Sequence, residues 1–190
     1  VVVGYELTWR LAAFINSHAP ASQFHWDAVS RSGIVASAIA GLLSGLDEEH
    51  LANAIAIGAA SAYTLREVRT AEISMLKAAA NATVAHSAVI ATMMANAGVT
   101  GPPEVLEGEH GMLAAFGIDV DDRFHAEVLG PIARWKIADV TVKPYPAIGT
   151  SQGAIAAALA LFHDHGLRAG DVDRLELRLV DIATSRRQIA

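Results

Sequence analysis

Apolar residues recur at helical spacing through roughly the first half of this chain and at strand spacing only toward its end. Residues 1–16 carry a 3.6-residue period. Residues 17–27 read as a loop, with Pro20 and a cluster of polar and aromatic side chains. Residues 30–44 and 47–60 predict two helices broken at Gly45, the second capped by Asp47 with Glu48 and Glu49 in its first turn. A charged connection over 61–73 leads into a long helix of small residues over 74–97. Gly98 ends that helix, and Gly101-Pro102-Pro103 enforces a turn. After Phe116 the pattern changes. Residues 135–142 alternate partially through Ile137, Val140 and Val142, 151–165 form an Ala-rich helical stretch, and 174–180 place Leu175, Leu177 and Leu179 on one face. Strand, helix and strand in that order predict a βαβ unit with a right-handed crossover. The expected fold class is therefore α+β: an all-helical domain over 1–117 and a smaller α+β domain over 118–190.

A length of 190 residues allows a substantial core in one or two domains. Ala, Gly and Ser dominate the helical stretches, so closely approaching helices are expected, and Gly41 and Gly45 form a GxxxG read as such packing. The net charge of −6 is spread along the chain. No basic stripe with interleaved aromatics occurs, which argues against a nucleic-acid partner. The absence of cysteine excludes disulfides, Cys-ligated zinc and a Cys-held iron–sulfur cluster within this sequence, and is compatible with a reducing cytoplasm. The apolar run 33–46 is too short to cross a bilayer and is interrupted by Ser and Gly, so no membrane span is expected. The chain opens on Val1-Val2-Val3 and stops just after a predicted strand, so it reads as an internal segment of a longer protein.

From Lys77 to Asn96 nearly every residue is small or apolar, and Lys77 is the only charge apart from a protonatable His86. A lone ammonium there either snorkels to water or faces an anion. Ser74, Lys77 and Asn81 share one helical face. His25, within Gln23-Phe24-His25-Trp26, is either a proton shuttle or a loop histidine packed on aromatics. Arg66 and Arg69 can clamp a carboxylate bidentately or lie solvated in a loop. Lys143 closes the first predicted strand, as an anion contact or as an edge lysine. His163-Asp164-His165 points its imidazoles apart on a helix and suits the C-terminal dipole better than a metal. No nucleotide-binding, nucleophile-elbow or zinc motif occurs, and no metal or cofactor is expected.

The run LRxxRTAEISMLK over 65–77, then AAANA over 78–82 and VTGPPEVLEGEHG over 99–111, resembles the core signature of the MmgE/PrpD family. That family includes 2-methylcitrate dehydratases, cis-aconitate decarboxylases and an iminodisuccinate epimerase. The likeness continues through Val3-Gly4-Tyr5-Glu6-Leu7 with Arg10, through Phe24-His25, and through Lys143-Pro144-Tyr145-Pro146 with Ser151-Gln152. It implies the same two-domain layout, with the smaller domain covering an active-site cleft.

The resemblance further implies His25 and Lys77 as catalytic residues, and Arg69, Lys143, Thr150 and Gln152 as contacts to a small carboxylate substrate. Two places depart from the family pattern. Trp26-Asp27 follows His25 where the family usually has Pro-Thr or a similar pair, and Thr150 stands where the resembled branch carries a histidine. The implied reaction is metal-independent loss of water from a 2-methylcitrate-like tricarboxylic hydroxy acid, in a cytoplasmic homodimer. Decarboxylation of cis-aconitate and epimerisation of an imino-dicarboxylate need similar anion binding and are the alternatives within the family. A catalytically silent binding or scaffold protein is the alternative outside it.

Overall fold

A computed structural model describes residues 1–19, 25–70, 72–119 and 122–177. The chain divides into two units, Val1–Ala138 and a second beginning at Asp139. The first holds six α-helices: α1 (Val2–His18), α2 (Ser32–Leu43), α3 (Glu48–Ser61), α4 (Leu76–Asn96), and the short α5 (Met112–Ala115) and α6 (Asp122–Val128). Single 3-10 turns at Ala28–Arg31 and Arg66–Arg69 precede α2 and α4.

The helix ends follow local chemistry. Asp47 caps α3, its Oδ1 accepting the His50 N–H at 2.9 Å, as the sequence predicts. The chain leaves α4 through Gly98 at φ +85, with Gly98 N–H donating to Ala95 and Val99 N–H to Met94. That is the Schellman arrangement, which needs a left-handed residue and so favours glycine. Gly45, at φ +72, separates α2 from α3 in the same way.

Helices α2, α3 and α4 pack mutually. Small residues permit this close approach, although the GxxxG glycines play different parts. A Cβ at Gly41 would lie 2.6 Å from Leu51 Cδ1, whereas one at Gly45 would meet nothing, because Gly45 is a turn residue. Between α2 and the α3 end, contacts as close occur at Gly33, against Ala62 and the Gly58 carbonyl, and at Gly58, against Ser37. The main core joins Leu11, Phe14 and Ile15 of α1 to Ile34, Val35, Met112, Leu113, Phe116, Phe124 and Val128. On α4 the buried positions Ala80, Val84, Ala88, Ala91 and Ala95 recur every three or four residues. By length and composition alone α4 could cross a membrane; here that buried stripe packs on its neighbours.

The second unit corrects the predicted fold class. Among the described residues there is no sheet, and the isolated bridge Trp26–Leu65 is the β-pairing present. The predicted strand 135–142 instead contains the 3-10 turn Lys136–Asp139 and irregular chain. Its first part is held elsewhere: the Lys136 N–H donates to Glu6 Oε2 at 2.8 Å, and Lys136 Nζ lies 4.1 Å from the centre of the Trp9 ring. In the second predicted strand residues 174–177 are irregular, and 178–180 lie outside the described residues. The helix between them does form, as α7 (Gln152–His165). An α+β class with a βαβ domain is thus not what this chain adopts; its described residues are helical and irregular.

Candidate functional site

The functional candidates of the first unit gather where residues 25–31 meet residues 62–70. Trp26 and Leu65 form an antiparallel bridge, with Asp27 N–H donating to the Thr64 carbonyl at 2.7 Å and Arg66 N–H to the His25 carbonyl at 2.9 Å. Ser30 Oγ doubles the link, donating to Thr64 O at 3.1 Å and accepting Thr64 N–H at 2.9 Å. The Trp26 and Tyr63 rings lie 4.8 Å apart in a tilted contact. Burial pushes the Tyr63 phenol up from its ordinary value. These contacts fix the backbone of His25 and leave its side chain exposed. An exposed imidazole can exchange protons with solvent.

Arg69 is tied down by an ion pair with Asp27, through Nε to Oδ2. Asp27 Oδ1 accepts the Val29 N–H at 2.9 Å and so caps the 3-10 turn Ala28–Arg31. The carboxylate is out of water, with 1 % of its side chain exposed, against 35 % for Arg69. Sequence reasoning treated Trp26-Asp27 only as a departure from the family pattern and missed this anchor. The available signal was an aspartate immediately before a helical start, which is a capping position.

Lys77 stands in the first turn of α4, half-buried, with no carboxylate partner among the described residues. Just beyond it, Ala80 and Val84 pack with Val29 and Ala62, which flank the His25–Arg69 junction. The start of α4 therefore belongs to the same neighbourhood. A cation at a helix N-terminus opposes the helix dipole, an arrangement that an added anion relieves.

Lys143, Thr150 and Gln152 belong to the second unit. Lys143 and Thr150 are exposed. Gln152 opens α7, and its amide is committed to backbone: Oε1 accepts Tyr145 N–H at 3.1 Å, and Nε2 donates to the Tyr145 and Ala147 carbonyls, each at 3.0 Å. It clamps the loop that carries Pro144, Tyr145 and Pro146.

Two other signature residues have architectural partners. Glu6, buried on α1, accepts from Arg10 Nε at 2.7 Å, while Arg10 Nη atoms donate to the carbonyls of Val128, Gly130 and Pro131. The Lys136 backbone N–H and then Arg10 hold the Glu6 carboxyl below its ordinary range. An open cleft of about 500 Å³ lies by the 102–112 loop, lined among others by Tyr63, Glu104, Glu109 and His110. None of the six predicted site residues lines it, and its carboxylates do not suit a polyanionic ligand.

Comparison with known families places these residues in context. The model described as "MmgE/PrpD N-terminal domain" matches residues 1–125, which include the His25–Arg69 junction and Lys77. This chain belongs to the MmgE/PrpD family. No curated protein matches it.

Proposed function

We propose that this protein dehydrates a 2-methylcitrate-like tricarboxylic hydroxy acid. The family contains dehydratases and other lyases, and membership in it supports the enzymatic part of this reading. The observation that carries the rest is the anchored, part-exposed Arg69 beside an exposed His25, with Lys77, which has no carboxylate partner among the described residues, at the neighbouring end of α4. Cations hold the carboxylates and stabilise the enolate-like charge that builds as a proton leaves the adjacent carbon. His25 takes that proton as general base, and the hydroxyl departs with a proton from an acid, completing the loss of water. A cytoplasmic homodimer is the setting we propose. Exposed Val89, Ile90 and Met93 on α4 support self-association.

The test is a turnover assay on 2-methylcitrate, citrate and cis-aconitate. Water loss from 2-methylcitrate is expected, and His25→Gln should lower kcat by ~10²–10⁴-fold. Carbon dioxide release from cis-aconitate alone would replace dehydration with decarboxylation. No turnover of any of the three would overturn the dehydratase reading; citrate binding that persisted would then favour the silent binder. For the anion site, Lys77→Ala should reduce the citrate-induced rise in melting temperature more than Lys136→Ala does, each measured against its own ligand-free melt.

A further inference from the structure

Asp27 is buried, and the first unit uses both of its oxygens, Oδ1 for the Val29 N–H and Oδ2 for Arg69 Nε. A second guanidinium, that of half-buried Arg31, also feels its charge. Burial lowers the proton affinity of Arg31, and Asp27 opposes that effect. The one negative charge of Asp27 thus faces two guanidinium groups, those of Arg69 and Arg31. Two guanidinium groups against one carboxylate suit an added anion rather than a closed structural ion pair.

The way Arg69 is held matters as much as its charge. A guanidinium has five N–H donors, and Asp27 engages the one on Nε. The other four sit on Nη1 and Nη2, and among the described residues none meets an acceptor. At 35 % exposure the side chain is fixed yet open to solvent. An arginine anchored at Nε keeps its Nη1–Nη2 edge, on which a carboxylate makes two parallel hydrogen bonds.

We infer that Asp27 is a positioning residue, which orients Arg69 so that its terminal nitrogens grip one carboxylate of the substrate end-on. This rests on the anion-binding reading above and deepens it. Asp27 itself touches no substrate. Its negative charge on the Nε side prevents Arg69 from swinging away when the site is empty, so less ordering is lost when the carboxylate arrives.

The experiment is calorimetric titration of citrate into the native chain and into Asp27→Asn, Arg69→Ala, Arg69→Lys and the Asp27→Asn/Arg69→Ala double variant, with ligand-free melts alongside. Arg69→Ala and Arg69→Lys should each weaken binding roughly tenfold or more, the expected loss when a hydrogen-bonded charge pair is removed. Arg69→Lys keeps a cation beside Asp27 and so tests the fork without unsettling the fold. Asp27→Asn should weaken binding comparably, and the double variant should bind no worse than Arg69→Ala, because Asp27 acts only through Arg69. Undiminished affinity in Asp27→Asn, or losses that add in the double variant, would overturn the positioning role and leave the anion site standing. Unchanged affinity in both Arg69 variants would remove Arg69 from that site. Absence of citrate binding by the native chain would overturn the anion-site reading itself.

Discussion

Residues 1–138 bury Phe14, Ile15, Met112 and Leu113 almost completely, whereas no described residue from 139 to 177 is buried. Leu159, Leu161, Leu175 and Leu177 are each more than half exposed. Both stretches carry regular apolar patterning, so the pattern alone does not separate them. The difference lies in partner surfaces. Each long helix of the first unit meets another whose small residues let the backbones approach, and the stripe on each becomes core. In the second unit α7 has a comparable run of apolar residues and buries none of them. Apolar periodicity states which face an element would bury; whether that face is buried depends on a second surface.

The largest effect that can break this comparison is truncation of a core aromatic. Phe14→Ala removes a ring that stacks on His18 and meets Phe124 edge-on at 5.3 Å. It should cost about 3–5 kcal/mol. Leu161→Ala, in α7, should stay within roughly 0.5 kcal/mol, as surface changes do. Urea titrations of both variants make the measurement. A cost at Leu161 similar to that at Phe14 would mean that α7 is covered in solution.

Glycine offers a contrast of sign. A Cβ at Gly58 would overlap the Ser37 side chain between α2 and α3, so Gly58→Ala should destabilise by about 1–3 kcal/mol. Gly153, in α7, has nothing within 4 Å of the same added atom. There Gly153→Ala should stabilise by ~0.4–1 kcal/mol, by narrowing the unfolded ensemble. Thermal melts that fell for both would show that the second unit is as tightly packed as the first.

The same distinction explains what could be read from the sequence. Helices α1, α3, α4 and α7 fall close to their predicted spans, because period, the Asp47 cap and the Gly98 stop act within a few residues. The region of α2 differs in starting with the 3-10 turn that Asp27 caps. The strands failed because a strand needs a neighbour to complete its hydrogen bonds, and alternation around Val140 or Leu175 does not specify one. Instead Glu6, 130 positions away, captures the Lys136 N–H. The site was legible by residue type and not by contact. His25 and Arg69 stand out as titratable or cationic residues, but the pairing of Trp26 with Leu65 and of Asp27 with Arg69 joins segments some forty residues apart. The commitment of Gln152 to the Tyr145 loop was equally invisible, since a glutamine amide serves backbone and ligand alike.

The smallest effect expected is an acid-dependent one, and it too should belong to the first unit. Glu6 accepts the Lys136 N–H and the Arg10 guanidinium only in the folded chain, so its carboxyl is held below the ordinary glutamate value of about 4.3. A carboxyl depressed on folding contributes stability that is fully present above the unfolded value and is lost as pH falls through the folded one. Glu6→Gln should therefore lower the melting temperature by a constant amount from pH 7 down to about 5. That gap should close progressively as pH falls below the ordinary glutamate value and on through the lower folded one. Asp164, exposed beside His163 at the end of α7, serves as the counterpart: Asp164→Asn should change the melting temperature little, as exposed surface substitutions do. A gap at Glu6 that did not narrow at all between pH 5 and pH 2 would mean that the side chain acts through packing rather than charge.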